Sequence, residues 1–117
     1  MPSRRVLRVN ELLRDELADL LRRESDDPLF QEIISIVEVD TSPDLQKAKV
    51  YFSVLGDDAL AARIQQRLNR AARFFRRLLS RRVELRTTPE LEFLLDPSIA
   101  RGARVIALLH EIEEDKS

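Results

Sequence analysis

Apolar residues recur at threes and fours near the start of the chain, at Val6, Val9, Leu13, Leu17, Leu20 and Leu21. At about 100° per residue they share one face of a helix. Ser3 stands where it can cap that helix, which is expected to run to about Glu24. Asp26-Asp27-Pro28 stops it, because the residue before a proline is pushed out of the α region. The opposite face mixes Arg14, Arg22 and Arg23 with Glu11, Asp15, Glu16 and Asp19, the pattern of a salt-bridged solvent face.

The period then changes. Ile33 to Asp40 is rich in Ile and Val, as a strand requires. After the turn residues Thr41-Ser42-Pro43-Asp44, Lys47 to Leu55 alternates, with Ala48, Val50, Phe52 and Val54 on one side and Lys47, Lys49, Tyr51 and Ser53 on the other. The two stretches predict an antiparallel hairpin. Lys47 and Lys49 either extend a basic surface or pair with Glu38 and Asp40 on the partner strand, and the pairing is the preferred reading.

Gly56 ends the hairpin, and Asp57-Asp58 places carboxylates at the start of a second helical pattern. Its apolar stripe is Leu60, Ile64, Leu68, Ala71, Phe75, Leu78 and Leu79, and Arg82 marks its end. Val83 to Arg86 and Glu90 to Leu95 alternate again, which predicts a third strand, in one piece or two around Pro89, with Leu91, Phe93 and Leu95 on one face. Asp96-Pro97-Ser98 opens a last helix with Ile99, Val105, Ile106, Leu109 and Ile112 as its stripe. Three strands with helices on one face make a small α+β domain. Residues 1–110 are expected to form that domain, and 111–117 an acidic tail with a frayed end.

Charge changes this picture at one place. The 117 residues carry a net charge of −1, yet Arg63 to Arg86 holds nine arginines against Glu84 alone, a balance of +8, so the remainder sums to −9. Between Arg63 and Arg82 there is no acid to pair with, and neither Gly nor Pro. Arg63, Arg67, Arg70, Arg77 and Arg81 share the flank beside the apolar stripe, and Arg73 and Arg76 widen it. Guanidinium groups so arranged are suited to phosphate. The rival reading is a protein-interaction module whose arginines meet an acidic partner, including the chain's own tail at Glu111, Glu113, Glu114 and Asp115.

Other chemistry is poorly provided for. Without cysteine, disulfides and thiolate sites are excluded, and the single histidine, His110, excludes multi-histidine metal sites. Asp26, Asp27, Asp40 and Asp44 are the remaining candidates for a metal-dependent nuclease. A helix stop and a turn explain them as well, and no nucleophile–base pair or phosphate loop accompanies them. An enzyme is therefore not expected, and neither a catalytic residue, a metal nor a cofactor is assigned. No apolar run approaches a membrane span, so a soluble cytoplasmic protein is expected.

In their joint order, several segments resemble ribosome-binding factor A. They are Arg8-Val9, Glu16-Leu17, Asp27-Pro28, Val37-Glu38-Val39, Asp44-Leu45, Ala48-Lys49-Val50-Tyr51 and Ser53-Val54-Leu55, then Ala71 to Arg76, Leu78-Leu79, Leu85-Arg86, Pro89-Glu90-Leu91, Phe93 and Asp96. The resemblance implies a type II KH-like fold of order αββααβ with a short C-terminal helix. It also implies binding to the small (30S) ribosomal subunit through 16S rRNA, help in late subunit maturation and 5′-end processing, a part in cold adaptation, and a monomer when free. RNA contacts are then expected from Arg63, Arg67, Arg70, Arg73, Arg76, Arg77 and Arg81. Arg4, Arg5, Arg8, Lys47, Lys49 and Arg86 are secondary contacts.

The family's Ala-x-Gly junction between two central helices aligns with Ala71-Ala72-Arg73, followed by Phe74. Arginine thus stands where the family has glycine, and Leu29 stands where it commonly has arginine. On a straight helix Phe74 lies among Arg70, Arg77 and Arg81. On one bent near Arg73 it turns into the core, and the buried, bent arrangement is the expected one.

Overall fold

A computed structural model describes residues 2–23 and 34–96. In chain order they form α1 (Arg4–Arg23), β1 (Ile34–Thr41), β2 (Lys47–Val54), α2 (Asp58–Arg70), α3 (Ala72–Arg82) and β3 (Glu90–Leu95). The proposed helix stop at Asp26-Asp27-Pro28, Leu29, the C-terminal helix and the acidic tail lie outside the described residues.

Local chemistry sets the element boundaries. The Val6 amide donates to Ser3 Oγ at 3.2 Å, and the Leu60 amide donates to Asp57 Oδ1 at 2.8 Å. Each satisfies a donor that a helix leaves orphaned in its first turn. Between β1 and β2 the Ser42 hydroxyl donates to Asp44 Oδ1 at 2.6 Å and the Gln46 amide to the same oxygen at 3.1 Å. The Ser42 bond, then the Gln46 amide, holds the Asp44 carboxyl below its ordinary pKa. Leu45 pays for this tight turn with φ 61°, a conformation that costs a non-glycine residue about 1–2 kcal/mol. Its side chain packing on the core offsets that strain.

The sheet has the order β1-β2-β3. β1 runs antiparallel to β2, and β3 runs parallel to it, with Lys47 opposite Glu90 and Val50 opposite Phe93. A register shift between Ile36 and Glu38 places an extra residue, Val37, in β1. Ile34 and Ile36 therefore face inward before it, and Val39 and Thr41 after it, and the bulge keeps both pairs on the core side. Thr41 is clamped from α1, its amide donating to Asn10 Oδ1 at 2.8 Å.

One core lies between the sheet and the helices. Leu13, Leu17 and Leu20 of α1, Val50 and Phe52 of β2, Ile64, Leu68 and Leu79 of α2 and α3, and Phe93 of β3 are essentially solvent-free. Burying each such side chain contributes about 1.5–3 kcal/mol. The α+β class, the order αββααβ and the inward faces of α1 and β2 are as the sequence predicts.

Two expectations about the third strand need correction. Val83 to Arg86 is not a strand: β2 begins at Lys47, Glu90 already occupies the position beside it, and earlier residues have no ladder partner. Val83 and Leu85 pack on the domain instead. Leu95 is 37% exposed at the strand end, although Leu91 and Phe93 on the same face are buried.

Candidate nucleic-acid interface

α2 and α3 are separated by one residue. Ala71 has φ −90° and ψ 4°, off helical values by its ψ, and its amide is shared between the Arg67 and Leu68 carbonyls at 3.1 Å each. The Phe75 amide nevertheless reaches the Ala71 carbonyl at 3.0 Å, so α3 starts directly from the break. The interruption is thus at Ala71, two residues before Arg73. Arg73 lies within α3, and among the described residues only Leu45 has a positive φ outside glycine. An arginine can stand at the family's glycine position because the distortion is taken up at Ala71, in a conformation open to any residue.

Helical phase survives the break. Ile64 and Leu68 before it and Phe75 and Leu79 after it are buried. On one flank of this buried seam the exposed residues Arg63, Arg67, Arg70, Phe74, Arg77 and Arg81 follow at spacings of four and three. Residues so spaced are neighbours on a helix surface. The side chains of Arg63, Arg70, Arg73, Arg77 and Arg81 make no ion pair or hydrogen bond within the described residues. Among the described residues nothing neutralises them, so they present a positive field to solvent.

Phe74 does not turn into the core. It is 45% exposed, with its ring edge-to-face on Phe75 at 5.7 Å between centroids. The expectation of burial fails because Phe75, Leu78 and Leu79 already fill the inward face of α3, and the one-residue break does not rotate the helix enough to add a neighbour to them.

The structure also divides the arginines. Arg76 is half-buried, and its Nε donates to the Thr88 carbonyl at 2.9 Å, tying α3 to the approach to β3. This fixes the guanidinium stem beside Arg77 and Arg86, and these three line a concavity of ≈ 400 Å³ with Ser80, Leu85 and Thr88. Arg5 and Arg86 border a second hollow beside the β1–β2 turn, with Asp44 in its wall. Arg4 and Arg8 are exposed at the start of α1, whose first turn has no acidic residue.

Arg82 belongs to α1 rather than to any ligand. It reaches Asp19 at 2.7 Å and Glu16 at 3.3 Å. Its hydrogen bond, with the charges of Arg23 and Arg22 adding to it, lowers the Asp19 pKa below the ordinary carboxylate value. The sequence marks Arg82 only as the end of the helical pattern, and the fold shows the acidic pair beside it.

The lysines of β2 are differently placed. Asp40 of β1 is registered with Lys49, while Glu38 stands opposite Tyr51 because of the bulge. From the other side β3 brings Glu90 beside Lys47 and Glu92 beside Lys49. The outer face of the sheet is therefore of mixed charge, and the depression there is lined by Asp40, Glu90 and Glu92 together with both lysines. The expected pairing of Lys47 and Lys49 with Glu38 and Asp40 holds only as the register of Asp40 with Lys49, with no ion pair between them, and the acids of β3 were missed because a parallel neighbour cannot be read from local pattern.

Of the aspartates considered for a metal, Asp40 lies on this mixed face and Asp44 is engaged in its turn. Asp26 and Asp27 lie outside the described residues. Among the described residues no group of three or more acids or histidines is arranged to hold a metal ion, and no helix is long and apolar enough to cross a membrane.

Known proteins resemble this chain in sequence and in fold. Residues 5–109 match the family model for ribosome-binding factor A. A ribosome-binding factor A from Acetivibrio thermocellus is 44% identical over 107 residues, covering 92% of this chain and 87% of its own. The crystal structure of ribosome-binding factor A from Thermus thermophilus is similar with a TM-score of 0.65 at 29% identity, over 77% of this chain and 94% of that one. Coordinates of the Thermus factor fitted as a homology model into a cryo-EM map of a 30S–RbfA complex give a TM-score of 0.59 at 29% identity, covering 73% and 88%.

Proposed function

This chain belongs to the ribosome-binding factor A family, and from that membership we propose that it binds the small ribosomal subunit through 16S rRNA. In this reading it assists late subunit maturation and 5′-end processing of the rRNA, works in the cytoplasm and in cold adaptation, is a monomer when free, and catalyses no reaction. The observation that carries the RNA part is the run of arginines from Arg63 to Arg82 on α2 and α3, with no acidic residue between them. The Thermus relative fitted into a 30S map supports the choice of partner.

Arg63, Arg67, Arg70, Arg77 and Arg81 grip phosphates, with Arg73 alongside. Arg76 and Arg86 offer a further phosphate seat at their shared concavity. Such contacts fix position and carry little sequence information, so specificity comes from rRNA shape. If about five phosphates are neutralised, log K falls with log salt at a slope of about −3.5 to −4.5. A slope near zero on rRNA sinks the electrostatic reading, and subunit association that survives nuclease treatment points to an acidic protein partner instead. Deleting the gene tests the maturation role directly: unprocessed 16S 5′ ends at low temperature are expected, and normal ends would remove it.

A further inference from the structure

We infer that Phe74 is a stacking platform for an unpaired RNA base, set in the middle of the arginine flank. The inference deepens the RNA-binding reading above and rests on it. Phe52, Phe75 and Phe93 are buried, whereas Phe74 leaves 45% of its surface in water. Single exposed apolar residues are ordinary, so exposure alone decides nothing. The position does: Arg70 precedes Phe74 by four residues and Arg77 follows by three, and neither has an intramolecular partner among the described residues. Side chains one turn apart stand about 5–6 Å apart at Cβ. A base laid on the ring therefore has a guanidinium on either side, within reach of its flanking phosphates.

The ring is also held in place. Phe74 meets Phe75 edge-to-face at 5.7 Å and 61°, and Phe75 meets Phe93 at 5.9 Å and 62°. This row of rings ties the exposed phenyl to a strand residue with no solvent exposure, so little freedom is left to lose on binding. The other large apolar residues exposed among the described residues, Leu7, Leu12, Val37, Leu55 and Leu95, are aliphatic and offer no π face. A base needs only its own π face to use the platform, so stacking here is tolerant of sequence.

The test compares two probes, a short single-stranded oligoadenylate and an RNA duplex of equal length, whose bases are already stacked and paired. Phe74→Ala and Phe74→Leu should each weaken binding to the single strand by about five- to 100-fold. Salt slope, duplex affinity and thermal midpoint should stay near those of the natural protein. Phe74→Trp should keep single-strand affinity, and because the chain has no tryptophan, its fluorescence should be quenched on saturation. Natural affinity of Phe74→Leu for the single strand, equal loss on the duplex, or unquenched Phe74→Trp would overturn the inference alone. Absence of salt-dependent binding by the natural protein to either probe would overturn the arginine reading and this inference together.

Discussion

α1 and the α2–α3 pair are both amphipathic and both rich in arginine, yet their outer surfaces are electrically opposite in character. On α1, Arg23 lies 2.9 Å from Asp19, Arg22 lies 3.5 Å from the same carboxylate, and Arg14 sits beside Asp15. Its acids are numerous enough to take in Arg82 from α3 as well. On the α2–α3 flank, Arg63, Arg70, Arg77 and Arg81 have no such neighbour among the described residues. The difference is not in arginine content but in whether carboxylates lie within one turn. A surface whose charges are matched in place contributes little and attracts little, whereas an unmatched one waits for an external anion.

The largest effect should come from inverting the unmatched surface. Arg70→Glu combined with Arg77→Glu should weaken RNA and subunit binding by about one to two orders of magnitude and flatten the salt slope by about 1.5 to 2. The thermal midpoint should hardly move, and a large fall in it would instead make these residues structural.

A smaller effect, of the opposite kind, is expected from the matched surface. Arg82→Ala should lower the thermal midpoint near neutral pH and leave RNA affinity almost intact. Asp19 has a depressed pKa in the fold, chiefly through its Arg82 hydrogen bond. That stabilisation is full above the ordinary value of 3.8 and disappears as pH falls through the depressed one. Melting curves of the two proteins should therefore converge in acid, and a gap independent of pH would assign the effect to packing of the arginine stem.

The smallest effect should come from the sheet. Lys47→Ala with Lys49→Ala should change RNA affinity by less than about threefold, since screening by Glu90, Glu92 and Asp40 leaves little net field there. A loss as large as that of the α2–α3 pair would extend the interface across the sheet and make the two surfaces alike.

Periodicity made the elements legible because buried and exposed positions differ strongly within each. Every apolar position read on α1 is buried, and so are Ile64, Leu68, Phe75 and Leu79. Failures fall where the answer depends on a neighbour distant in sequence. Val83 to Arg86 alternates like a strand but finds no free edge of β2. Arg76 looks like a member of the stripe and proves to be a fastener to the carbonyl of Thr88, and Arg82, read only as the helix end, is fastened to acids on α1. Phe74 was assigned to the core by its chemistry, though the core was already full. The bulge at Val37 did leave a trace, in the change from Ile34 and Ile36 to Val39 and Thr41 as the inward set. The family resemblance could reveal none of this residue by residue, because it fixes the order of elements and not the partners of each side chain.

The flank of α2 away from the arginines has its own consequence. Asn69 accepts from the Phe93 amide at 2.8 Å and donates to the Phe93 carbonyl at 3.0 Å, with Gln65 donating to the same carbonyl at 3.2 Å. A side-chain amide has the same donor and acceptor as a peptide, so Asn69 acts as a counterfeit strand one residue long. A chain seeking to extend the sheet along β3 would find the middle rung of the ladder already occupied. Self-association by strand addition is thereby discouraged by the helix whose other side carries the exposed arginines.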